Sequence, residues 1–199
     1  MADQKQQNQQ QFENHQIIRI DGKSKFVEVL NRSFNIGKVI LNFVEYDEKK
    51  TAGDRIVAQI PIYMNFSEFR VFAQDMLSGR YSKLAEAKQN PIVQYLKGTS
   101  EERLKAQNRE RPDGKAESRK FTLSPSAKGF FFTAELGPGE STETGMIKPV
   151  GKPEKKVSIP LDGQQAKELV LTTLAAMDAY ETAKIVTKEL MAVLGKKAS

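Results

Sequence analysis

The sequence predicts an α+β fold made of two tandem units, each an antiparallel sheet followed by a helix (ββββα), with a long helix at the C-terminal end. The chain reads Ile60-Pro61-Ile62 and, about 100 residues later, Ile159-Pro160-Leu161. A series of strand-like segments precedes each triplet, and helical spacing of apolar residues follows it. Such repetition indicates an internal duplication whose halves pair as a pseudo-twofold domain, because one unit cannot bury its sheet face alone.

Composition agrees with one medium domain or two small units that share a core. Apolar residues make up 39% of the 199 positions and charged residues 28%. The chain has no cysteine, so disulfides and thiolate metal sites are excluded and a cytoplasmic setting is expected. No apolar run reaches the roughly 18–20 residues of a membrane span, and the Gln-rich start does not resemble a secretory signal.

Residues 1–16 form a polar tract with seven glutamines, which we expect to be a disordered tail. The first unit is predicted over 17–115. A helix is predicted over 66–77, with Asn65 or Ser67 as its cap and Gly79 beyond its end. The strands predicted before it are 17–20, 25–34, 36–46 and 55–63; two further helices, 81–87 and 91–96, and a charged connector from 97 to 120 are predicted after it.

The second unit is predicted over 116–199. Its strands are expected at 118–124, 129–136 and 155–161, with a short one at 145–150. Gly137-Pro138-Gly139 and the Lys-rich stretch 148–156 are interpreted as loops. Asp162 is the expected N-cap of a final helix over 164–194, about 45 Å long. Because a strand of six or seven residues spans only about 20–25 Å, the far half of this helix should pack on the first unit or on another subunit.

Side-chain alternation gives each strand one apolar face and one mixed face. Val39, Leu41 and Phe43 point to one side, for example, and Lys38 and Asn42 to the other. The mixed faces carry cations, hydrogen-bonding side chains and a few aromatic rings, and the net charge of +6 favours an anionic partner. Single-stranded nucleic acid uses such a surface, since bases stack on rings and phosphates meet Lys and Arg.

Two series of strands, each closed by an Ile-Pro-Ile or Ile-Pro-Leu triplet and a helix, resemble the Whirly, PUR-alpha and positive-cofactor-four group of single-stranded-nucleic-acid-binding proteins. The resemblance covers about residues 17–194. It implies sheet-surface binding of single strands, often by a homo-oligomer, without catalysis. It also implies a role in replication, recombination, transcription or the handling of plasmid and phage DNA. No motif of the group matches residue by residue.

Strand facing and charge alone therefore define the predicted site. Lysine and arginine would neutralise phosphates, and tyrosine and phenylalanine would stack on bases. The predicted nucleic-acid-binding residues are Lys25, Arg32, Lys38, Asn42, Tyr46, Arg55, Gln59, Tyr63, Lys120, Thr122, Phe131, Thr133, Lys148, Lys152, Lys155 and Lys156.

Enzyme chemistry is not expected, and neither a metal nor a cofactor is predicted. His15 is the one histidine and lies in the predicted tail, which leaves a serine nucleophile without a base. Gly137-Pro138-Gly139 lacks the Gly-Lys-Ser/Thr ending of a phosphate loop. RNA is an alternative ligand to single-stranded DNA. A different class of function is also open: a structural or assembly protein of a phage or mobile element, with the mixed sheet faces and the long helix as subunit interfaces.

Overall fold

The computed structural model describes residues 15–51, 53–87 and 91–197. The predicted tail lies outside them, except for His15 and for Gln16, which begins the first strand. The first sheet is an antiparallel meander in the order β1-β2-β3-β4, and α1 follows it directly. These elements are β1 (Gln16–Asp21), β2 (Lys25–Leu30), β3 (Lys38–Tyr46), β4 (Ile56–Asn65) and α1 (Phe66–Leu77).

The second sheet has five strands and is also antiparallel. Its order is β5-β6-β7, and the long β7 pairs with β9 through its first half and with β8 through its last residues. The strands are β5 (Ile92–Thr99), β6 (Ala116–Pro125), β7 (Gly129–Ser141), β8 (Ile147–Pro149) and β9 (Lys155–Asp162). The remaining helices are α2 (Arg80–Glu86), α3 (Glu101–Ala106) and α4 (Gly163–Lys197). The protein is thus α+β, with two antiparallel sheets and a long C-terminal helix.

Local sequence signals start the two main helices where the sequence predicts them. The backbone N–H of Asn65 donates to the Glu68 carboxylate (2.9 Å) at the start of α1. At the start of α4, one carboxylate oxygen of Asp162 accepts from the N–H groups of Gln164 (2.9 Å) and Gln165 (2.8 Å). The predictions of a helix at 66–77 and of Asp162 as an N-cap are therefore confirmed.

The two sheets pack face to face around one hydrophobic core. Phe43 of β3 lies 5.4 Å from Phe121 of β6, measured between ring centroids. Phe72 of α1 is 5.7 Å from Phe121 and 6.2 Å from Phe132 of β7. Buried side chains of both sheets and of α1 and α4 belong to the same cluster. The apolar face of each sheet is therefore covered by the other sheet as well as by helices.

The first half of α4, not its far half, packs on the first unit. Tyr180 contacts Phe34 (5.4 Å between ring centroids) and Phe66 (6.4 Å). Arg70 of α1 donates to Asp178 (2.9 Å) and Glu181 (2.5 Å) of α4. Residues 182–192 are all exposed. No helix in the described ranges has both the length and the apolar character needed to cross a membrane.

One predicted helix is wrong, and it changes the division of the chain. Residues 92–99 form β5 instead of the helix predicted over 91–96. Ile92, Val93 and Tyr95 are β-formers, and Pro91 opens this strand rather than a helix. Because β5 pairs with β6, it belongs to the second sheet although it precedes the predicted boundary at 115/116. The predicted connector also contains α3, and Gly137-Pro138-Gly139 lies within β7 rather than in a loop.

Candidate nucleic-acid interface

The predicted site residues fall on two separate surfaces. Eight belong to the first sheet and its adjoining turns, and eight belong to the second sheet. The first-sheet group is Lys25, Arg32, Lys38, Asn42, Tyr46, Arg55, Gln59 and Tyr63; the second-sheet group is Lys120, Thr122, Phe131, Thr133, Lys148, Lys152, Lys155 and Lys156. The structure brings members of each group together but does not join the two groups in one surface.

The outer face of the second sheet forms a regular array, which we name the platform. Strand register places its residues in three rows across β6, β7 and β9. The threonines of the middle row are buried, and the Thr133 and Ser158 hydroxyl oxygens lie 2.8 Å apart in a hydrogen bond. The rows are Ser124–Phe131–Pro160, Thr122–Thr133–Ser158 and Lys120–Glu135–Lys156.

The charged row of the platform carries two cations around one anion. The Glu135 carboxylate is 3.7 Å from the Lys120 ammonium nitrogen and 3.1 Å from that of Lys156. The Lys156 side chain is 58% exposed and the Lys120 side chain 30%. This row can accept a phosphate, but the phosphate would compete with Glu135 for the two lysines. Strand alternation places Glu135 on this face, yet the predicted site did not include it.

Phe131 supplies the aromatic part of the platform. Its side chain is 39% exposed, between Ser124 on one side and Pro160 on the other. It lies four residues along β7 from Glu135, or about 13 Å at 3.3 Å per residue. An exposed ring at this distance from two ammonium groups can stack on one base while the lysines contact the backbone of the same strand.

The segment from Lys148 to Glu154 borders the platform at its charged end. The Val150 N–H donates to the Pro138 carbonyl (3.0 Å) and the Glu154 N–H to the Leu136 carbonyl (2.9 Å). A cavity of about 130 Å³ separates this segment from the sheet, with Lys120, Glu135 and Lys152 among its lining residues. Lys152 is exposed there and adds positive charge. Lys148, which pairs with Glu140, and Lys155 fall on the opposite side of the sheet from Glu135 and Lys156, so these two predicted site residues do not belong to the platform.

Arg111 anchors the end of this segment. Its guanidinium donates to both oxygens of Glu154 (2.6 and 3.0 Å) and to those of Asp113 (2.9 and 3.0 Å). These hydrogen bonds hold the pKa of the Glu154 and Asp113 carboxyls below their usual range and raise the pKa of Arg111. The turn before β6 and the segment before β9 are thereby joined.

The central strand of the first sheet offers less to a ligand. Asn42 is only 2% exposed; its amide donates to Glu28 (2.7 Å) and accepts from Gln59 (3.2 Å). Its neighbours Ile40 and Val44 are buried as well. Burial and these hydrogen bonds remove the Asn42 side chain from the accessible surface.

The other first-sheet residues are dispersed. The Tyr46 ring lies 6.0 Å from that of Phe26, and the Tyr63 ring lies 5.7 Å from the Arg119 guanidinium carbon. Lys25 lies in the core-facing row of β2, 3.7 Å from Glu45, and Lys38 pairs across the sheet with Asn65. Exposed Arg32 follows β2, and exposed Arg55 precedes β4 and donates to the Lys50 carbonyl (3.2 Å).

No protein-family model matches this chain, and a search of curated proteins finds no match. Function therefore has to be inferred from the chemistry of the surface itself. In the three described ranges, no three His, Cys, Asp or Glu side chains are grouped as metal ligands. The platform brings five of the predicted site residues together on one sheet face: Lys120, Thr122, Phe131, Thr133 and Lys156.

Proposed function

We propose that the protein binds single-stranded nucleic acid, with DNA as the main ligand and RNA as the alternative, along the platform and without catalysis. One observation carries the proposal: exposed Phe131 shares an outer sheet face with Lys120 and Lys156. The rings and ammonium groups of such a face meet bases and phosphates without requiring a particular sequence. Exposed Lys152 extends the positive charge beyond the end of the face.

The order of the strands supports the tandem ββββα arrangement and with it the resemblance to the Whirly and PUR-alpha group. β1-β2-β3-β4 and β5-β6-β7-β9 are both antiparallel meanders, and a helix follows each. β8 is then an insertion between β7 and β9. On this basis we propose a cytoplasmic homo-oligomer that acts in replication, recombination, transcription or the DNA handling of a phage or plasmid.

Fluorescence anisotropy with labelled oligo-dT tests the proposal. Affinity should fall steeply with salt, because each neutralised phosphate releases counterions. Phe131→Ala should weaken binding by about 1–3 kcal/mol, the contribution of one stacked base. Tyr46→Ala, which removes an aromatic ring from the first sheet, is the matched control and should change affinity little. If Phe131→Ala binds as tightly as the unmodified protein, Phe131 is not part of the site.

One observation favours the other class, a structural or assembly protein of a phage or mobile element. The outer part of α4 exposes Ile185, Val186, Leu190 and Met191 by 56–66%. Apolar side chains so exposed on a helix are typical of an interface between subunits. A sizing column combined with gel shifts of single-stranded, duplex and RNA probes separates the two proposals. A large oligomer that shifts none of the probes would support assembly over nucleic-acid binding.

A further inference from the structure

A cavity opens at the end of the second sheet that carries the β6–β7 turn, on the side covered by helices. It has a volume of about 690 Å³ and lies where the end of α1, α2, the β6–β7 turn and the first turn of α4 meet. Gly129 and Phe130 line it, and Phe131 follows them on the outer face of β7, so a strand on the platform would reach the cavity around the β6–β7 turn. Its volume lies in the range of about 300–1,000 Å³ that is usual for small-molecule sites.

The walls of this cavity differ in chemistry. Met76, Leu77, Ala85 and Pro125 give one apolar side. Lys128 of the β6–β7 turn and Lys167 of α4 bring two ammonium groups, and neither forms an ion pair with any residue in the described ranges.

Hydroxyl groups add hydrogen-bond donors to the polar side. Ser78, Ser82 and Ser126 all line the cavity, and Glu86 is the one carboxylate among its described lining residues. The Ser126 hydroxyl oxygen accepts from the Gly129 N–H (3.1 Å), so its proton can donate to a ligand. A cavity that combines apolar side chains with ammonium and hydroxyl groups matches a ligand with a flat ring and an anionic group.

Side chains rather than the helix terminus would hold that anion. The Asp162 carboxylate already accepts hydrogen bonds from the N–H groups of Gln164 and Gln165. These donors at the start of α4 are therefore not available to an anion. The Gly163 N–H donates to the Lys128 carbonyl (3.2 Å) and ties the turn to the helix. This link keeps the turn that carries Lys128 beside the turn that carries Lys167.

We propose that this cavity binds a nucleoside monophosphate group as the phosphorylated end of a strand that lies on the platform. The base would rest on the apolar wall, and the terminal phosphate would lie between Lys128 and Lys167. A terminal phosphate carries a charge of about −1.5 to −2 near pH 7, against −1 for an internal phosphodiester, so two ammonium groups favour the end of a strand. The strand part of this inference rests on the proposed function.

Three twelve-residue oligo-dT probes test it: one with a 5′-phosphate, one with a 3′-phosphate and one with neither. For the unmodified protein, one phosphorylated end should raise affinity about ten-fold, equivalent to one charge-assisted hydrogen bond. The double variant Lys128→Gln/Lys167→Gln should lose this preference and still bind the unphosphorylated probe as before. Lys184→Gln/Lys188→Gln, with the same charge change on the outer part of α4, should keep the preference.

Equal affinity of the unmodified protein for all three probes would overturn the proposal, as would a preference that survives in the double variant. If no probe binds at all, the proposed function fails. Titration calorimetry with free thymidine monophosphate then tests whether the cavity binds a mononucleotide. Binding that the double variant abolishes would then support a mononucleotide site. Absence of thymidine monophosphate binding would overturn the proposal of a mononucleotide site. Both lysines are exposed, so circular dichroism should show that the variant folds normally.

Discussion

Glu135 has more control over the platform than any other single side chain, because it lies between Lys120 and Lys156 in one row of the sheet. As long as both lysines are paired with it, a bound phosphate gains less from them. A surface ion pair contributes roughly 0.5–1 kcal/mol. The carboxylate therefore limits the affinity of the platform for an anionic strand rather than contributing to it.

We expect Glu135→Gln to raise the affinity for oligo-dT about two- to five-fold, from the size of that ion-pair energy. The two lysines would then be available to phosphates, and the salt dependence of binding should become steeper. Anisotropy titrations over a range of salt concentrations measure both effects. Glu45→Gln makes the same charge change beside Lys25 on the first sheet and should alter affinity less. An equal gain in both variants would mean that only net charge matters.

At the scale of elements, α4 has two parts with different roles. Up to Glu181 it supplies buried side chains such as Leu169 and Met177 and the two carboxylates that bind Arg70. From 182 onward it contributes no buried residue as far as 192. The inner part therefore joins the second unit to the first, and the outer part is available to other molecules.

A chain that ends at Glu181 should keep its thermal unfolding midpoint to within about 2 °C, because the removed segment contributes no buried side chain up to 192. A chain that ends at Thr172 loses Met177, Tyr180 and both partners of Arg70, and should be strongly destabilised. Calorimetry compares the two. If the outer part is a subunit interface, a sizing column should also show a smaller particle for the first truncation. A large loss of stability on removing 182–199 alone would contradict this division of α4.

The link that Arg111 forms with Asp113 and Glu154 should make the stability of the fold depend on pH. Arg111 lowers the pKa of Asp113 and Glu154 in the folded protein, so this link stabilises the fold above the ordinary carboxyl pKa values of about 4 and is lost as the pH falls. Arg111→Gln should therefore be less stable than the unmodified protein at pH 7, and the difference should be smaller at pH 3. Urea unfolding at both values measures the difference.

The effect should be modest and reduced by salt, since Glu154 is 51% exposed and Asp113 40%. Arg103→Gln, on the exposed side of α3, is the control and should show little difference at either pH. A loss of stability in Arg111→Gln that is equally large at pH 3 would mean that Arg111 stabilises the fold through packing and not through its charge.

At the scale of the whole molecule, the shared core makes the two sheets depend on each other. Phe72 is 2% exposed and packs on Phe121 and Phe132 of the second sheet, although α1 follows the first. Shortening the Phe72 side chain removes its contacts with both sheets at once. Unfolding of one sheet would leave the apolar face of the other in water, which favours a single cooperative transition.

Phe72→Ala should lower the free energy of unfolding by about 3–5 kcal/mol, the usual result of truncating a buried aromatic ring. Native-state hydrogen exchange should show β3 and β6 losing protection by the same amount. Val71→Ala, one residue away on the same helix but 63% exposed, should change protection little. Loss of protection in β6 while β3 stays protected would show that the sheets unfold independently.

Much of the fold could be predicted because it depends on local periodicity. The helix at 66–77, the Asp162 cap and the alternation of faces in β4, β7 and β9 all follow from neighbouring residues, whereas β3 is buried on both faces from Val39 to Val44. The segment 92–99 could not be assigned in this way. Its short apolar run fits a helix or a strand, and only pairing with β6 decides between them.

The sequence by itself determined the α+β class, the main strands and helices and the core-facing side of β4, β7 and β9, because these depend on side chains a few positions apart. Only the tertiary structure decided that Asn42 is buried and that Glu135 pairs with Lys120 and Lys156. It also placed Lys128 and Lys167 at one cavity. These arrangements bring together residues that are distant in the chain, and they depend on how the sheets and helices pack rather than on any local pattern.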